Sequence, residues 1–403
     1  MLYPKSERIY SIMNKKNIYL MFAIALLQGM VFYGPIATLY RQAQGVSILQ
    51  ITIIESISLG LCLLLELPWG IVADKIGYKR AMIFCCALYF ISKIVFWQAT
   101  GFAAFLLERV LLSVVISGLS GVDTSILYLS CEKGESQKVF GIYNSLQTTG
   151  LLIAAFVFSA VVGDNYKLSG LLTVISYGIA ALLSLGLKNV YPEEHTSLCA
   201  QEFVALLRQT FKNKHLLLFL IGVTFLTETH QTITVFLNQL QYVKSGLSSS
   251  SIGYIYIAVT IAGLSGIFSS RLTKKANIAR TIGLIYTATI AACILLAITH
   301  NAWLSVSGIM IIRISFSLFQ PLQMDLQNKQ VVTPNRATAL SMNAIIIDSV
   351  GVGTNVVFGY LADYSVRYAF LLGAGLCFCG VIMIGVWYRN CGNGGEDVNM
   401  IHD

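Results

Sequence analysis

Charged residues are scarce in this sequence: Asp, Glu, Lys and Arg make up 11% of its 403 residues, whereas 56% are hydrophobic. A soluble globule of this length needs more charged side chains than that, so a soluble protein is excluded. Only six prolines occur, which excludes a proline-rich or collagen-like chain. The 20 Tyr and 21 Phe residues argue against disorder. The composition therefore predicts a membrane protein.

Motifs for catalysis, metal binding and nucleotide hydrolysis are missing from the sequence. No glycine-rich loop ending in Gly-Lys-Ser or Gly-Lys-Thr is present, so we expect no use of ATP by this chain. Neither a His-x-x-x-His pair nor a paired aspartate motif occurs, and we expect no enzyme activity, no metal and no cofactor. The net charge of +8 comes without an aromatic-basic cluster, so we expect no nucleic-acid partner. The nine cysteines lack a framework spacing and are expected to stay reduced.

Long apolar runs recur along the whole chain. A membrane-spanning helix needs about 20 apolar residues. Twelve runs of that kind, separated by polar breaks, lie at roughly 18–40, 48–69, 81–100, 102–130, 139–163, 168–187, 215–240, 252–270, 281–299, 303–325, 337–362 and 368–388. The first run has no small-residue cleavage site after it, so we expect it to be retained rather than cleaved as a signal peptide. The sequence predicts an all-α protein of twelve transmembrane helices.

Basic residues are distributed unevenly around these runs. Only Arg41, Lys167, Lys244 and Arg367 fall in the loops of one side, whereas most of the others fall on the opposite side. Because basic loops stay in the cytoplasm, both termini are predicted to be cytoplasmic. We expect a multi-pass protein of the cell inner membrane, with the lipid bilayer as its main partner.

The longest predicted inner loop divides the chain into two sets of six runs. We expect an N-terminal six-helix bundle over 1–187, a linker over 188–214, a C-terminal six-helix bundle over 215–390 and a cytoplasmic tail over 391–403. Within the linker, residues 202–212 have an amphipathic pattern that predicts a helix at the membrane surface.

The loop after the second run carries a specific motif. It reads Gly70-Ile-Val-Ala-Asp74-Lys75-Ile-Gly77-Tyr78-Lys79-Arg80. In this position of a twelve-span chain, the motif resembles the signature loop of the major facilitator superfamily. The resemblance implies two pseudo-symmetric six-helix bundles and alternating access to one central site. Many members carry a basic residue where this chain has a tyrosine, and the equivalent loop of the second half has lost the aspartate and both glycines.

We interpret the motif as part of a gating latch. Asp74, at the cytoplasmic end of a helix, is poorly placed for the helix dipole unless a cation answers it. Asp123 is predicted to share a helical stripe with Arg109 and to meet Lys79 or Arg80. The latch consists of Gly70, Asp74, Lys75, Gly77, Lys79, Arg80 and Asp123. It would break and re-form when the bundles rock; the alternative is a solvated cluster that only sets topology.

Ionisable residues within the runs fall into two layers. The outer layer lies at a depth of about 10 Å, estimated from the helical rise, and contains Glu55, Lys93, Glu108 and Arg109. Two acids and two bases at one depth predict a charge-compensated cluster, which serves either structural ion pairing or substrate binding and gating.

The second layer lies nearer the midplane and consists of Glu228, His230, Arg313 and Asp348. The resemblance implies that spans one, four, seven and ten line the central path, which places Arg109, Glu228 and Arg313 on it. We expect Glu228 to carry a proton and Asp348 to pair with Arg313. His230 is two positions from Glu228 and is expected to point to a different face.

Further polar residues of the runs are candidates for substrate binding, although buried polar side chains also bond helices together. Together with Arg109, Arg313 and His230, the candidates for substrate binding are Gln28, Tyr33, Tyr143, Asn144, Gln147 and Gln231. Pro35, Pro68 and Pro321 are expected to break or kink their helices.

The sequence predicts a proton-coupled secondary transporter of a small molecule. Its binding site is expected to open to one side of the membrane at a time. The motif, chain length and short linker resemble bacterial multidrug or antibiotic exporters, so proton-coupled export of drugs or other small amphipathic compounds is the first interpretation. The fifth run has a single glycine, Gly150, and no proline, which weakens that interpretation. The alternatives are a proton symporter of an anionic metabolite or peptide, a flippase for a lipid-linked substrate and, outside transport, a membrane receptor or enzyme. We expect a monomer.

Overall fold

A computed structural model describes residues 5–131, 136–190, 213–330 and 336–393 of the chain. Within these ranges the chain is helical and forms no strand. The amphipathic linker segment 202–212 and the end of the predicted tail lie outside the described residues.

Twelve helical stretches of the described chain are long and apolar enough to cross a membrane. They are numbered here as spans 1 to 12: Lys15–Ala43, Ile48–Leu65, Tyr78–Gln98, Gly101–Ser130, Lys138–Val162, Tyr166–Ser184, Lys214–Lys244, Ser249–Ala276, Ile278–Ile298, Ala302–Gln327, Met342–Tyr364 and Val366–Asn390. Their number and order confirm the prediction of a twelve-span all-α membrane protein.

Spans 2, 3, 6 and 9 to 12 belong to helices that run without interruption. These helices are Ile48–Ile76, Tyr78–Gln98, Tyr166–Ser184, Ile278–Ile298, Ala302–Lys329, Arg336–Tyr364 and Val366–Asn393. Pro68 and Pro321 lie inside two of them, so neither proline ends its helix. Pro35 does lie at a break, because it occupies the 3₁₀ turn that divides span 1.

The other five spans change helix type or direction along their length. Span 1 begins within the helix Lys5–Gly29 and continues through the 3₁₀ turn Gly34–Ile36 and the helix Ala37–Ala43. Span 4 consists of Gly101–Leu119 and Val122–Ser130. Span 5 begins within the helix Ser136–Val157 and ends with the π-helix Phe158–Val162. Span 7 consists of Lys214–Gln231, the π-helix Thr232–Leu237 and Asn238–Lys244. Span 8 consists of Ser249–Ala262, the 3₁₀ segment Gly263–Phe268 and Ser269–Ala276.

The break in span 4 corrects one inference from the sequence. Gly121 has a φ of +83°, in the left-handed region that glycine adopts without steric cost, and a new helix starts at Val122. Asp123 therefore does not continue the helical stripe of Arg109. The prediction of one straight helix for span 4 is wrong at this point.

The chain divides into two compact units. The first comprises Met1–Val46, Ile57–Thr196 and Ser249–Ile257, and the second comprises Ser47–Ser56, Ser197–Ser248 and Ala258–Asp403. Each unit thus takes one short segment from a span that the sequence assigns to the other half. The proposed boundaries at the linker stay a prediction.

Each unit has its own apolar core. The core of the first unit includes Met21, Ile24, Met82, Ile126 and Leu127. The core of the second unit includes Phe219, Leu220, Tyr286, Phe319 and Trp387. Because lipid tails are as apolar as these side chains, close packing rather than transfer from water holds such helices together.

Within the second unit, the segment Ser47–Ser56 packs against span 11. The carboxylate of Asp363 accepts a hydrogen bond from the backbone N–H of Ile48, at 2.8 Å, and so satisfies one open donor at the start of span 2. Ser56 donates to the carbonyl oxygen of Val352, at 3.0 Å. These bonds attach the first turns of span 2 to span 11.

Spans 1 and 5 pack backbone to backbone in the first unit. A Cβ atom added at Gly150 would overlap the carbonyl oxygen of Leu26, and one added at Gly29 would overlap that of Gln147. The lone glycine of span 5 therefore has a packing role, because only hydrogen fits between the two helices.

We expect Gly150→Ala to destabilise the protein by about 1–3 kcal/mol, because the added methyl group forces the two helices apart. Gly141→Ala is the matched control, since Gly141 lies on the same helix and a Cβ there meets no atom within 4 Å. Melting temperatures in detergent measure both effects. Equal melting temperatures for the two variants would show that the close approach is unimportant.

Candidate functional site

A buried ion pair lies inside the first unit. Lys93 of span 3 places its Nζ atom 3.7 Å from Oε1 of Glu108 on span 4, and the two side chains are 4% and 1% exposed. The same Nζ atom donates a hydrogen bond to the hydroxyl oxygen of Tyr33, at 3.1 Å. Charges at membrane depth are costly unless they are paired, so each partner explains how the other is tolerated.

Three tyrosine rings surround the Lys93 ammonium group. Its Nζ atom lies 5.8 Å from the ring centroid of Tyr33, 5.0 Å from that of Tyr89 and 5.3 Å from that of Tyr177. A desolvated cation gains about 2 kcal/mol from one such ring. This cage was not predicted from the sequence; its one local signal is Tyr89, four residues before Lys93 on the same helix.

The predicted outer layer is thus partly assembled in the first unit. Lys93 and Glu108 are in contact, and Arg109 follows on span 4 with a partly buried side chain. Glu55 is 5% exposed and belongs to the second unit. The joint network of all four residues stays a prediction.

The candidate binding residues of the first unit differ in exposure. Gln28 and Tyr33 are buried, and Tyr33 stacks on Phe96 with ring centroids 3.9 Å apart. Tyr143 is partly buried, whereas Asn144 and Gln147 are exposed. Their roles in binding stay a prediction.

The exposed residues form a polar face on span 5. Asn144, Ser145, Gln147, Thr148 and Thr149 are all exposed. Polar side chains within a span are costly against lipid and usually face a water-filled cavity or other protein. This face is therefore suited to an aqueous path.

The latch residues are only partly described, because the surroundings of Gly70 and the side chain of Asp74 lie outside the described part. Asp123 accepts a hydrogen bond from the Tyr143 hydroxyl at 3.3 Å, and its other oxygen accepts from the backbone N–H of Thr124. Among the described residues, no ion pair joins Asp123 to Lys79 or Arg80. The latch stays a prediction.

The midplane residues of the second unit include a closely packed carboxylate. Glu228 of span 7 is 6% exposed, and its Oε2 atom has no hydrogen-bond partner in the described structure. Its carboxylate lies over Gly351 of span 11, where an added Cβ would be 2.7 Å from Oε1. Asp348, one turn before that glycine, interacts electrostatically with Glu228. Spans 7 and 11 thus bring two acids together.

Arg313 of span 10 faces the same region of span 7. Its Nη1 atom lies 3.3 Å from Nε2 of His230, which can accept this hydrogen bond only as a neutral ring. The ring of His230 stacks on Phe316, with centroids 3.9 Å apart. His230 therefore belongs with Arg313, although its place in the sequence turns it away from Glu228.

The polar contact between spans 7 and 11 continues one turn beyond Glu228. The hydroxyl of Thr232 donates to the side-chain oxygen of Asn355, at 2.8 Å. The π-helix Thr232–Leu237 begins at the same residue. Such widened turns occur often at functional sites, and nothing in the sequence pattern predicted this one.

A chain of twelve spans with ionisable groups buried at membrane depth has the features of a membrane transporter. The family model of the Major Facilitator Superfamily matches residues 18–354, which is most of the chain. The protein belongs to this superfamily, so it is a transporter and not an enzyme. The family inferred from the loop after span 2 is thereby confirmed.

Known relatives agree with this assignment. An uncharacterised transporter of the superfamily from Methanocaldococcus jannaschii is 23% identical over 154 residues, which cover 38% of this chain and 40% of that protein. The match thus spans less than half of that relative's length.

Solved structures show the same fold. The nucleoside transporter NupG has a TM-score of 0.76 at 18% identity, with 94% of this chain and 99% of that chain covered. A bacterial homologue of the human lysosomal transporter Spinster, in an inward-facing and occupied conformation, has a TM-score of 0.71 at 14% identity, with 96% and 98% covered. A peptide transporter in complex with sulfate has a TM-score of 0.68 at 14% identity, with 93% and 94% covered.

The ion pair of the first unit generates a stability prediction. We expect Lys93→Met to cost about 3 kcal/mol or more, because it leaves the Glu108 carboxylate buried without its cation. The double variant Lys93→Met with Glu108→Gln should be more stable than the single variant, since no charge is then left unpaired. Melting temperatures in detergent provide the comparison.

Lys167→Met serves as the control for this series, because Lys167 is an exposed lysine outside the cage. We expect it to melt as the wild type does. Additive losses from Lys93→Met and Glu108→Gln would show that the two residues are energetically independent.

Proposed function

We propose that the protein is a proton-coupled secondary transporter in which Glu228 carries the proton. The observation that carries this proposal is the burial of Glu228, with Oε2 lacking a hydrogen bond in the described structure. An ionised carboxylate in such surroundings is strongly disfavoured, whereas a protonated one is neutral. Glu228 therefore has a physical reason to take up a proton when water is excluded and to release it when water returns.

The charge balance of the second unit supports the same role. Glu228 and Asp348 are two acids, whereas Arg313 is one cation and His230 accepts its hydrogen bond as a neutral ring. One arginine compensates one carboxylate, so the other is neutral only with a proton. Asp348 is the more exposed of the two acids, so its ionised form is the less costly one. We therefore assign Asp348 as the ionised partner of Arg313.

Water access is supported by exposed polar residues at membrane depth. Gln231, one turn from Glu228, is exposed, as are Asn144 and Gln147 on span 5. In each unit, such side chains suit contact with water at membrane depth. We propose that the protein works by alternating access, in which the substrate is exposed to one side of the membrane at a time.

The motif resemblance supports one substrate class and one direction of transport. We propose export of small amphipathic compounds, powered by protons that enter the cell. Uptake of an anionic metabolite or peptide is the second candidate, because Arg313 is a cation at membrane depth and the similar structures include nucleoside and peptide transporters. We also propose a monomer in the inner membrane with both termini in the cytoplasm.

The test uses proteoliposomes and three labelled probes: ethidium, uridine and a dipeptide. Counterflow first identifies which probe the wild type exchanges. Accumulation of that probe under an imposed proton gradient is then measured for Glu228→Gln, which mimics the protonated acid. We expect accumulation to fall to the level of protein-free vesicles, whereas counterflow continues, because exchange needs no net proton movement.

Asp164→Asn is the matched control, since Asp164 is an exposed acid outside the spans, and it should accumulate the probe normally. Asp348→Asn should instead reduce counterflow as well, because it leaves Arg313 without its assigned partner. Gradient-driven accumulation by Glu228→Gln would disprove the assigned carrier. Ethidium exchange supports export of amphipathic compounds, and dipeptide exchange supports the second candidate.

A further inference from the structure

A separate cavity lies within the second unit, at the end of the bundle that the basic residues place in the cytoplasm. Its volume is about 510 Å³, and the inner ends of spans 8, 9, 10 and 12 line it. The charged residues that line it are Lys274, Asp325 and Lys329, and none of the midplane residues is among its lining residues. The proposed proton pathway does not use it.

The residues that line the cavity include cations, hydrogen-bonding residues and apolar residues. Lys274 makes no ion pair with any described residue, and the side chain of Asn277 makes no hydrogen bond to one. Ser270 and Tyr388, which carry hydroxyl groups, also line the cavity, as does Leu322. Cations beside hydroxyl and amide groups are the usual ligands of a phosphate group.

Lys329 is a second cation that can turn to a ligand. Its Nζ atom lies 3.5 Å from the carboxylate of Asp325, with the two side chains 33% and 56% exposed. An ion pair with that exposure contributes little stability. A bound anion can therefore compete with Asp325 for the lysine.

The backbone at Asn277 is unusual. Its φ of 71° and ψ of 153° match the φ of 88° and ψ of 143° of Gly77, and it has the only positive φ among the non-glycine residues described. Glycine would occupy this conformation without strain, whereas asparagine does not. The strained position nevertheless places an amide side chain on the cavity wall.

The two loops also differ in charge. When Asn277 is placed on Gly77, Lys274 falls on Asp74, so the second half carries a lysine where the signature loop carries its aspartate. Arg271, Lys275 and Arg280 are exposed around it. Basic pockets between helices on the cytoplasmic side attract anionic head groups.

We propose that this cavity binds a phosphate group, with Lys274 and Lys329 as its counter-charges and Asn277 as a hydrogen-bond donor. The group comes either from the head group of an anionic lipid or from free phosphate. Asp325 weakens binding, because its charge repels the ligand and holds Lys329.

The purified full-length protein in detergent tests this proposal by thermal shift. The probes are short-chain phosphatidylglycerol against short-chain phosphatidylcholine, and sodium phosphate against sodium chloride at equal ionic strength. Titration gives a dissociation constant for each probe that stabilises the protein. Stabilisation by phosphatidylglycerol alone identifies a lipid site, and stabilisation by sodium phosphate identifies a site for free phosphate.

Three variants make the test specific. Lys274→Gln should weaken binding about tenfold, since a charge-assisted hydrogen bond is lost, whereas Asp325→Asn should strengthen it. Lys275→Gln is the matched control, because Lys275 is the next lysine in the chain and does not line the cavity. Equal losses in Lys274→Gln and Lys275→Gln would reduce the effect to general surface charge and overturn the proposal. The absence of stabilisation by either anion would overturn it too.

Discussion

The cost of an unpaired charge in the membrane is the constraint on which this structure depends. The charge of Lys93 is stabilised by the Glu108 carboxylate and by three aromatic rings. The charge of Arg313 is stabilised in part by a hydrogen bond to the neutral ring of His230. The Oε2 atom of Glu228 has no hydrogen-bond partner among the described residues. In the proposed mechanism a proton is the partner of this carboxylate, and its binding and release couple transport to the proton gradient.

Much of the fold could be predicted, because the lipid bilayer requires apolar helices of a defined length. Apolar runs of membrane length and the uneven basic residues predicted the twelve spans, and the signature loop predicted the family. In span 11, Gly351 and Asn355 lie three and seven residues after Asp348, which is the spacing of one helical stripe, and Gly351 and Asn355 contact Glu228 and Thr232 of span 7. The helical period of a span and the depth of a residue within that span depend only on the local sequence, so they can be predicted from one sequence.

The remaining features depend on tertiary packing or on broken helices. A helical-wheel projection of span 7 places His230 on a different face from Glu228. His230 contacts Arg313 because span 10 packs against span 7, which the sequence does not show. The turn at Gly121 changes the direction in which the Asp123 side chain points. A helical-wheel projection that assumes a straight span 4 does not show this change. The rings around Lys93 come from spans 1, 3 and 6, which no spacing in the sequence connects.

Infrared spectroscopy of the protein in lipid tests the central claim most directly, because protonated carboxyl groups have a carbonyl band that ionised ones lack. The account predicts such a band in the wild type before substrate binds, with one component missing in Glu228→Gln and retained in Asp348→Asn. A spectrum of Glu228→Gln that keeps every component of the wild-type band would contradict the account.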